Sequence, residues 1–221
     1  FISEDETTAA PNDPLFSAQW ALKNTGQNQG TAGIDINYLP AREVTQGSSD
    51  IIVAVLDHGT QLDHPDLNVS SKSYDTETGR SPSQIWGNHG TACSGIISAK
   101  TNNNLGVAGI APNCPVMSIS NQLMGTSDAP QKRADGFNWA WRNGASVISN
   151  SWRSSTFSEL LEDAIQSAMT NGRNGLGCVV TFSAGNYDSN TVGYPARSLP
   201  DIIVVGAVSY THLRAHETRR H

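Results

Sequence analysis

A chain of 221 residues can form one large domain or two small ones. Its 37% hydrophobic content is that of a globular protein, and twenty glycines with only 15% charged residues point to tight turns around a buried sheet. The net charge of −6, with no basic stripe before the last few residues, argues against nucleic-acid binding, and the longest apolar runs, 51–56 and 202–208, are far too short to span a membrane.

Residues 1–10 are acidic and polar without periodicity, and Pro11-Asn-Asp-Pro14 is a turn. Leu39 to Val44 can form a short helix with Pro40 in its first turn. The run 51–56 is uniformly apolar and β-branched, the pattern of a strand covered on both faces. Residues 57–88 are loop-rich, and His89-Gly-Thr opens a helix predicted to run to about Lys100. A strand at 116–119 follows, then a helix over about 128–143 with Ser127 as its cap, and a strand at 145–149. Thr156-Phe-Ser-Glu159 reads as a capping box. The helix it opens carries Leu160, Leu161, Ala164, Ile165, Ala168 and Met169 at the spacing of one buried face, and Asn171-Gly172 stops it. Two more strands are expected at 178–182 and 202–208.

Strands alternating with helices define an α/β fold, a three-layer doubly wound, mostly parallel sheet that is incomplete at the C-terminus. Sites in such sheets gather at the carboxyl ends of strands. Asp57 and Asn186 each stand just past a strand end, and His89 stands at a helix start beside the same edge. Cys93, Cys114 and Cys178 are odd in number and form no Cys-x-x-Cys pair, so they are expected as buried thiols. Taken singly, Asp57-His-Gly is also an ordinary strand exit, His89-Gly-Thr an ordinary helix start, and Asn186 after Gly185 a left-handed turn residue.

Val-Ala-Val-Leu-Asp57-x-Gly, His64-Pro-Asp66-Leu, His89-Gly-Thr and Ser-Ala-Gly-Asn186 together resemble the subtilisin-like serine endopeptidases over roughly residues 11–208. Asn12-Asp-Pro-Leu-Phe, Cys93 four residues after His89, Ser151-Trp152 and Gly172-Arg-Asn-Gly-Leu-Gly177 lean toward the kexin and furin branch or its bacterial relatives. The resemblance implies that Asp57 orients His89, that His89 is the general base, and that the Asn186 amide donates to an oxyanion. Ser151 and Trp152 match the segment that lines the substrate cleft. Asp13, Asp66 and Asn103, with the carbonyls of Lys100, Leu105 and Val107, fall at the family's strong calcium site, where calcium is structural. Two residues depart from the pattern: Cys93 would lie near the imidazole, and Arg153 replaces a glycine beside the substrate strand.

No serine of the family's nucleophile motif follows Asn186. Met124-Gly-Thr-Ser127-Asp-Ala-Pro130 imitates that motif but is one residue short before the proline and precedes Asn186. The expectation is therefore a secreted, calcium-stabilised endopeptidase that acts on polypeptides and is made with its own propeptide, of which this chain holds a fragment inactive by itself. The alternative is a non-catalytic peptide-binding module on the same scaffold. Residues 1–10 read as a propeptide remnant or linker and 11–209 as a partial catalytic domain. Residues 210–221, with three arginines against one glutamate, resemble the translation of a sequencing adapter and read as a non-native tail.

Overall fold

A computed structural model describes residues 9–186 and 192–206. The residues 1–8 of the expected propeptide remnant and the whole of the 210–221 tail lie outside that range. Six strands form one sheet: β1 (Ile52–Asp57), β2 (Tyr74–Asp75), β3 (Val116–Ser120), β4 (Ala145–Asn150), β5 (Val179–Ser183) and β6 (Ile203–Val205). Their order across the sheet is β2-β3-β1-β4-β5-β6, and all five pairings are parallel. The helices are α1 (Tyr38–Val44), α2 (His89–Ser98), α3 (Ala129–Arg142) and α4 (Glu159–Gly175). None of them is long and apolar enough to cross a membrane.

Alternation along β1 sorts the two faces. Ala54 and Leu56 join the main core with Phe137 and Ala140 of α3 and Leu161, Ile165 and Ala168 of α4. Val53 and Val55 point to the other face, where α2 packs on β1 and β3. α2 presents Gly90, Ser94, Gly95 and Ser98 there, and such small side chains let a helix approach a sheet closely. A smaller cluster of Phe16, Leu22, Tyr38 and Ala108 seats the N-terminal segment.

The expected elements are present with shifts of one or two residues at their ends, except that the last strand, expected at 202–208, is Ile203–Val205, and residues 207–208 lie outside the described residues. Two caps differ from expectation. Asp128, not Ser127, holds the N-cap position of α3, and no side chain caps it. Pro130 in the first turn has no N–H to satisfy, and the Asp128 carboxylate is instead taken by Lys132 at 2.8 Å. In α4 the cap is Ser158, whose hydroxyl accepts from Leu161 N at 3.3 Å, while Thr156 bonds back to Ser154. Leu160 leaves the expected buried face and is 46% exposed, because one step of about 100° carries it past the stripe centred on Leu161, Ala164, Ile165 and Ala168. Regular helix ends at Asn171, as expected, since Gly172, Arg173 and Asn174 have non-helical torsions.

Ile165→Ala is expected to cost about 2–5 kcal/mol by urea denaturation, against under about 1 kcal/mol for Leu160→Ala. Equal costs would contradict this placement of the α4 face.

Candidate active site

β1 occupies the switch point of the sheet, with β3 hydrogen-bonded on one side and β4 on the other. Its last residue, Asp57, is fully buried. A buried carboxyl must be hydrogen-bonded or it costs several kcal/mol. Asp57 Oδ1 accepts from His58 N at 2.7 Å, and its two oxygens stand 2.8 and 2.9 Å from His89 Nδ1. The imidazole reaches that position because two glycines let the turn after β1 touch the start of α2. Gly59 has φ +91°, and a Cβ on it would overlap the Gln84 carbonyl. A Cβ on Gly90 would overlap the Gly59 carbonyl. Beneath this contact, Thr60 bonds to Ser94 at 2.7 Å and to Ser118 at 2.9 Å, and Gln61 N donates to Thr91 Oγ1 at 3.0 Å.

The far side of the imidazole faces outward, the His89 side chain being 52% exposed. Cys93, one helical turn on, places Sγ 3.7 Å from Nδ1 and 4.0 Å from Nε2. The same thiol is 3.8 Å from Ser151 Oγ, just past the end of β4. Cys93 is thus not the buried thiol expected from sequence, because the imidazole beside it opens to solvent. Cys114 and Cys178 are buried. Partial burial pushes the Cys93 thiol pKa up, a hydrogen bond with Ser151 opposes this, and Asp57 adds to the rise.

Asn186 stands exposed beyond β5, after Gly185 at φ +101°. Because every strand is parallel, it lies at the same edge as Asp57. Trp152 differs from its neighbour Ser151. Its indole is 6% exposed and packs edge-on against Phe182 at 5.0 Å, so the side chain serves the core. His64 Nδ1 accepts from Asp66 N, while the His58 ring stands 6.3 Å from that of His89.

The N-terminal segment is fastened to the loop after α2. Buried Asp13 accepts from the backbone N–H groups of Asn102 and Asn103 at 3.0 and 3.1 Å. Buried Asp66 accepts from Asn103 Nδ2 at 2.7 Å and from Val107 N at 3.2 Å. The Asn103 side-chain oxygen accepts from Leu105 N at 2.9 Å. Among the described residues, the Lys100, Leu105 and Val107 carbonyls accept no protein hydrogen bond. Two buried carboxylates, three carbonyls and one amide oxygen are the all-oxygen donor set that a hard cation takes.

A buried carboxyl joined to an outward imidazole at the carboxyl edge of a parallel sheet is an arrangement that orients an imidazole to accept a proton. The chain belongs to the subtilase family, whose model matches residues 48–220. It is 36% identical over 204 residues to a thermophilic serine proteinase of Bacillus sp. strain AK1, covering 90% of this chain and 49% of that protein. It is 32% identical over 220 residues to a calcium-dependent protease of Nostoc, covering 87% and 31%. It is 31% identical over 224 residues to human neuroendocrine convertase 2, covering 90% and 34%. A protease structure from Pseudoalteromonas arctica superimposes with a TM-score of 0.73 at 28% identity, covering 91% of this chain and 67% of that one. The chain spans about half or less of the length of these curated relatives.

Sequence reasoning missed Arg133 and Arg197, which line a cavity beyond Ser151. A cation on an amphipathic helix reads as a surface residue, so Arg133 gave no signal.

Iodoacetamide should label Cys93 before Cys114 and Cys178, since only the thiolate reacts and only Cys93 is accessible. A raised pKa means less thiolate at neutral pH. Half-labelling, followed by mass spectrometry across a pH series, is expected at higher pH than for a free cysteine peptide. Labelling at neutral pH as fast as that peptide would contradict the site's geometry.

Proposed function

We propose that this domain is the base-bearing part of a secreted serine endopeptidase made as a precursor. The observation that carries the reading is the two-oxygen contact of Asp57 with His89 Nδ1 at 2.8 and 2.9 Å. That bond favours the tautomer with its proton on Nδ1 and leaves Nε2 to accept one. His89 Nε2 takes the proton of a serine hydroxyl as it attacks the substrate carbonyl, and returns it to the leaving amine. Asp57 stabilises the imidazolium formed between these steps. Asn186 donates its amide N–H to the oxyanion, a contribution of roughly 10²–10³ in turnover measured in a protease of this same family. Ser151 holds substrate backbone beside the imidazole.

No Gly-Thr-Ser motif follows Asn186 in the 221 residues. The 221 residues are therefore inactive alone. The test compares hydrolysis of a chromogenic peptide by this chain and by the longest product of its gene. We expect amidolysis from a product that supplies the serine, and a loss of about 10⁴-fold on Asp57→Asn. Hydrolysis by the 221-residue chain that His89→Ala abolishes would refute its inactivity. Peptide binding without hydrolysis by the longest product would favour a non-catalytic peptide-binding module.

Calcium is the proposed structural ion. Asp13, Asp66 and Asn103 would hold it with the Lys100, Leu105 and Val107 carbonyls, and it would cross-link the N-terminal segment to the loop after α2. The name of the Nostoc relative supports this. Saturation at 100 times Kd adds about 2.7 kcal/mol, or roughly 5–10 °C in Tm for a domain of this size. Scanning calorimetry should show that shift between calcium and EDTA, and Asp66→Asn should remove it. Identical melting in both buffers would count against the site.

A further inference from the structure

Three side chains of different chemistry converge at the carboxyl edge of β1. The Asp57 carboxylate, the His89 imidazole and the Cys93 thiol offer ligand atoms that all lie within 4.8 Å of one another. Among the described residues, no other group of three histidine, cysteine or carboxylate side chains stands so close. The proposed hydrolysis uses Asp57 and His89 and leaves the thiol without a task.

The backbone fixes all three. Asp57 ends β1 and is fully buried, His89 opens α2, and Cys93 follows it by one helical turn, the spacing that sets two helical side chains against each other. Sγ stands 3.7 Å from Nδ1, and Nδ1 stands 2.8 and 2.9 Å from the carboxylate oxygens. Zinc bonds of about 2.0–2.1 Å to nitrogen and about 2.3 Å to sulfur, set at the tetrahedral angle, put N and S roughly 3.6 Å apart. The thiol and the ring thus already stand at the edge length of a zinc tetrahedron. The N···O edge of such a centre is roughly 3.4 Å, so the ring must back away from Asp57 by about half an ångström. The His89 side chain is half-exposed, which leaves room for that shift.

The donor set selects the metal. Oδ1 of Asp57 also accepts from His58 N at 2.7 Å, which leaves Oδ2 for a cation. One carboxylate oxygen, one imidazole nitrogen and one thiolate suit zinc, whereas calcium takes oxygen ligands alone. The two negative ligands neutralise the dication, so no net charge is added beside the buried carboxylate. Three protein ligands leave the fourth position to water, and the exposed side of His89 is the entry path. Ser151 Oγ, 3.8 Å from the thiol that donates to it, turns donor once the thiol ionises and so supports the sulfur.

We propose that Asp57, His89 and Cys93 form a zinc site, and that zinc bound there silences His89 as a base. Cys93 binds as thiolate and gives one proton to solvent. Nδ1 must offer its lone pair to the metal, so the proton it carries moves to Nε2. Nε2 then has no lone pair with which to take a serine proton. No electron is transferred, and one proton is released per zinc bound. Burial raises the Cys93 pKa, so the thiol is protonated at neutral pH and binding tightens as pH rises. The silencing rests on His89 being the general base described under Proposed function, and the binding does not.

The 221-residue chain would be titrated with cobalt, a spectroscopic stand-in for zinc, with calcium in excess to fill oxygen-only sites. One equivalent should give a thiolate-to-cobalt charge-transfer band in the near ultraviolet, lost on adding zinc. The three histidines of residues 210–221 have no thiolate and cannot give that band. Loss of an outer-shell partner already costs about 10–100-fold in metal affinity, so Cys93→Ala should abolish the band and weaken zinc binding at least about 100-fold. His89→Ala, at a half-exposed ring, should weaken it by a similar factor. One equivalent of zinc should also protect Cys93 from iodoacetamide. No band at one equivalent, a band that survives Cys93→Ala, or a band indifferent to His89→Ala overturns the site. In the longest gene product zinc should abolish amidolysis, and Cys93→Ala should make the activity insensitive to zinc. Full amidolysis with zinc bound overturns the silencing. A failure of the proposed catalysis would instead show as no amidolysis with or without zinc, and the cobalt titration still decides the site.

Discussion

Everything at the carboxyl edge depends on a contact with no side chain in it, the approach of Gly90 to the Gly59 backbone. A Cβ on Gly90 would overlap the Gly59 carbonyl. Only because that space is empty does the first turn of α2 lie against the exit of β1. The Asp57–His89 bond is then a consequence of backbone packing rather than of flexible side chains finding each other. This is how a fully buried carboxyl is satisfied without a cation beside it, using one main-chain N–H and one ring nitrogen.

Around that contact the chain separates two kinds of polar residue. Ser94, Ser118 and Thr60 are buried, bond mainly to each other and to backbone, and stiffen the floor under α2. His89, Cys93 and Ser151 form a row that opens outward. The parallel sheet permits this division because its strands all end on one side, so buried networks and presented groups are stacked along the same edge.

Much of this was legible in the sequence, and the limits have physical causes. β1 announced itself because a strand covered on both faces is a continuous apolar run. Asp57 and His89 were legible because a polar residue ending such a run, or opening a helix, is a local signal. The α4 face was legible from its period, although Leu160 lay one residue outside the stripe. Pairings between distant segments were not. Nothing local distinguishes Gly59 and Gly90 from other turn glycines, and nothing in α3 says that Arg133 is buried under Trp152. Ser151 and Trp152 are neighbours just past the end of β4, yet one meets the Cys93 thiol and the other packs on Phe182, a division that adjacency in sequence does not announce. Ser127 and Thr156 failed as caps because a proline in one first turn and a nearer serine at the other removed the need for them.

The fastening of the N-terminal segment has a consequence for synthesis. Gln19 bonds in both directions to Ala108, 89 residues away, and Leu15 N donates to the Gly106 carbonyl. A ribosome adding 5–20 residues per second takes about 5–20 s to make that partner after Gln19 appears. For much of that interval Phe16 and Leu22 have Tyr38 but not Ala108 or the loop that carries it to pack against. This segment thus docks only after the loop following α2 has been made, and until then the nascent chain carries an apolar stretch that a chaperone can hold.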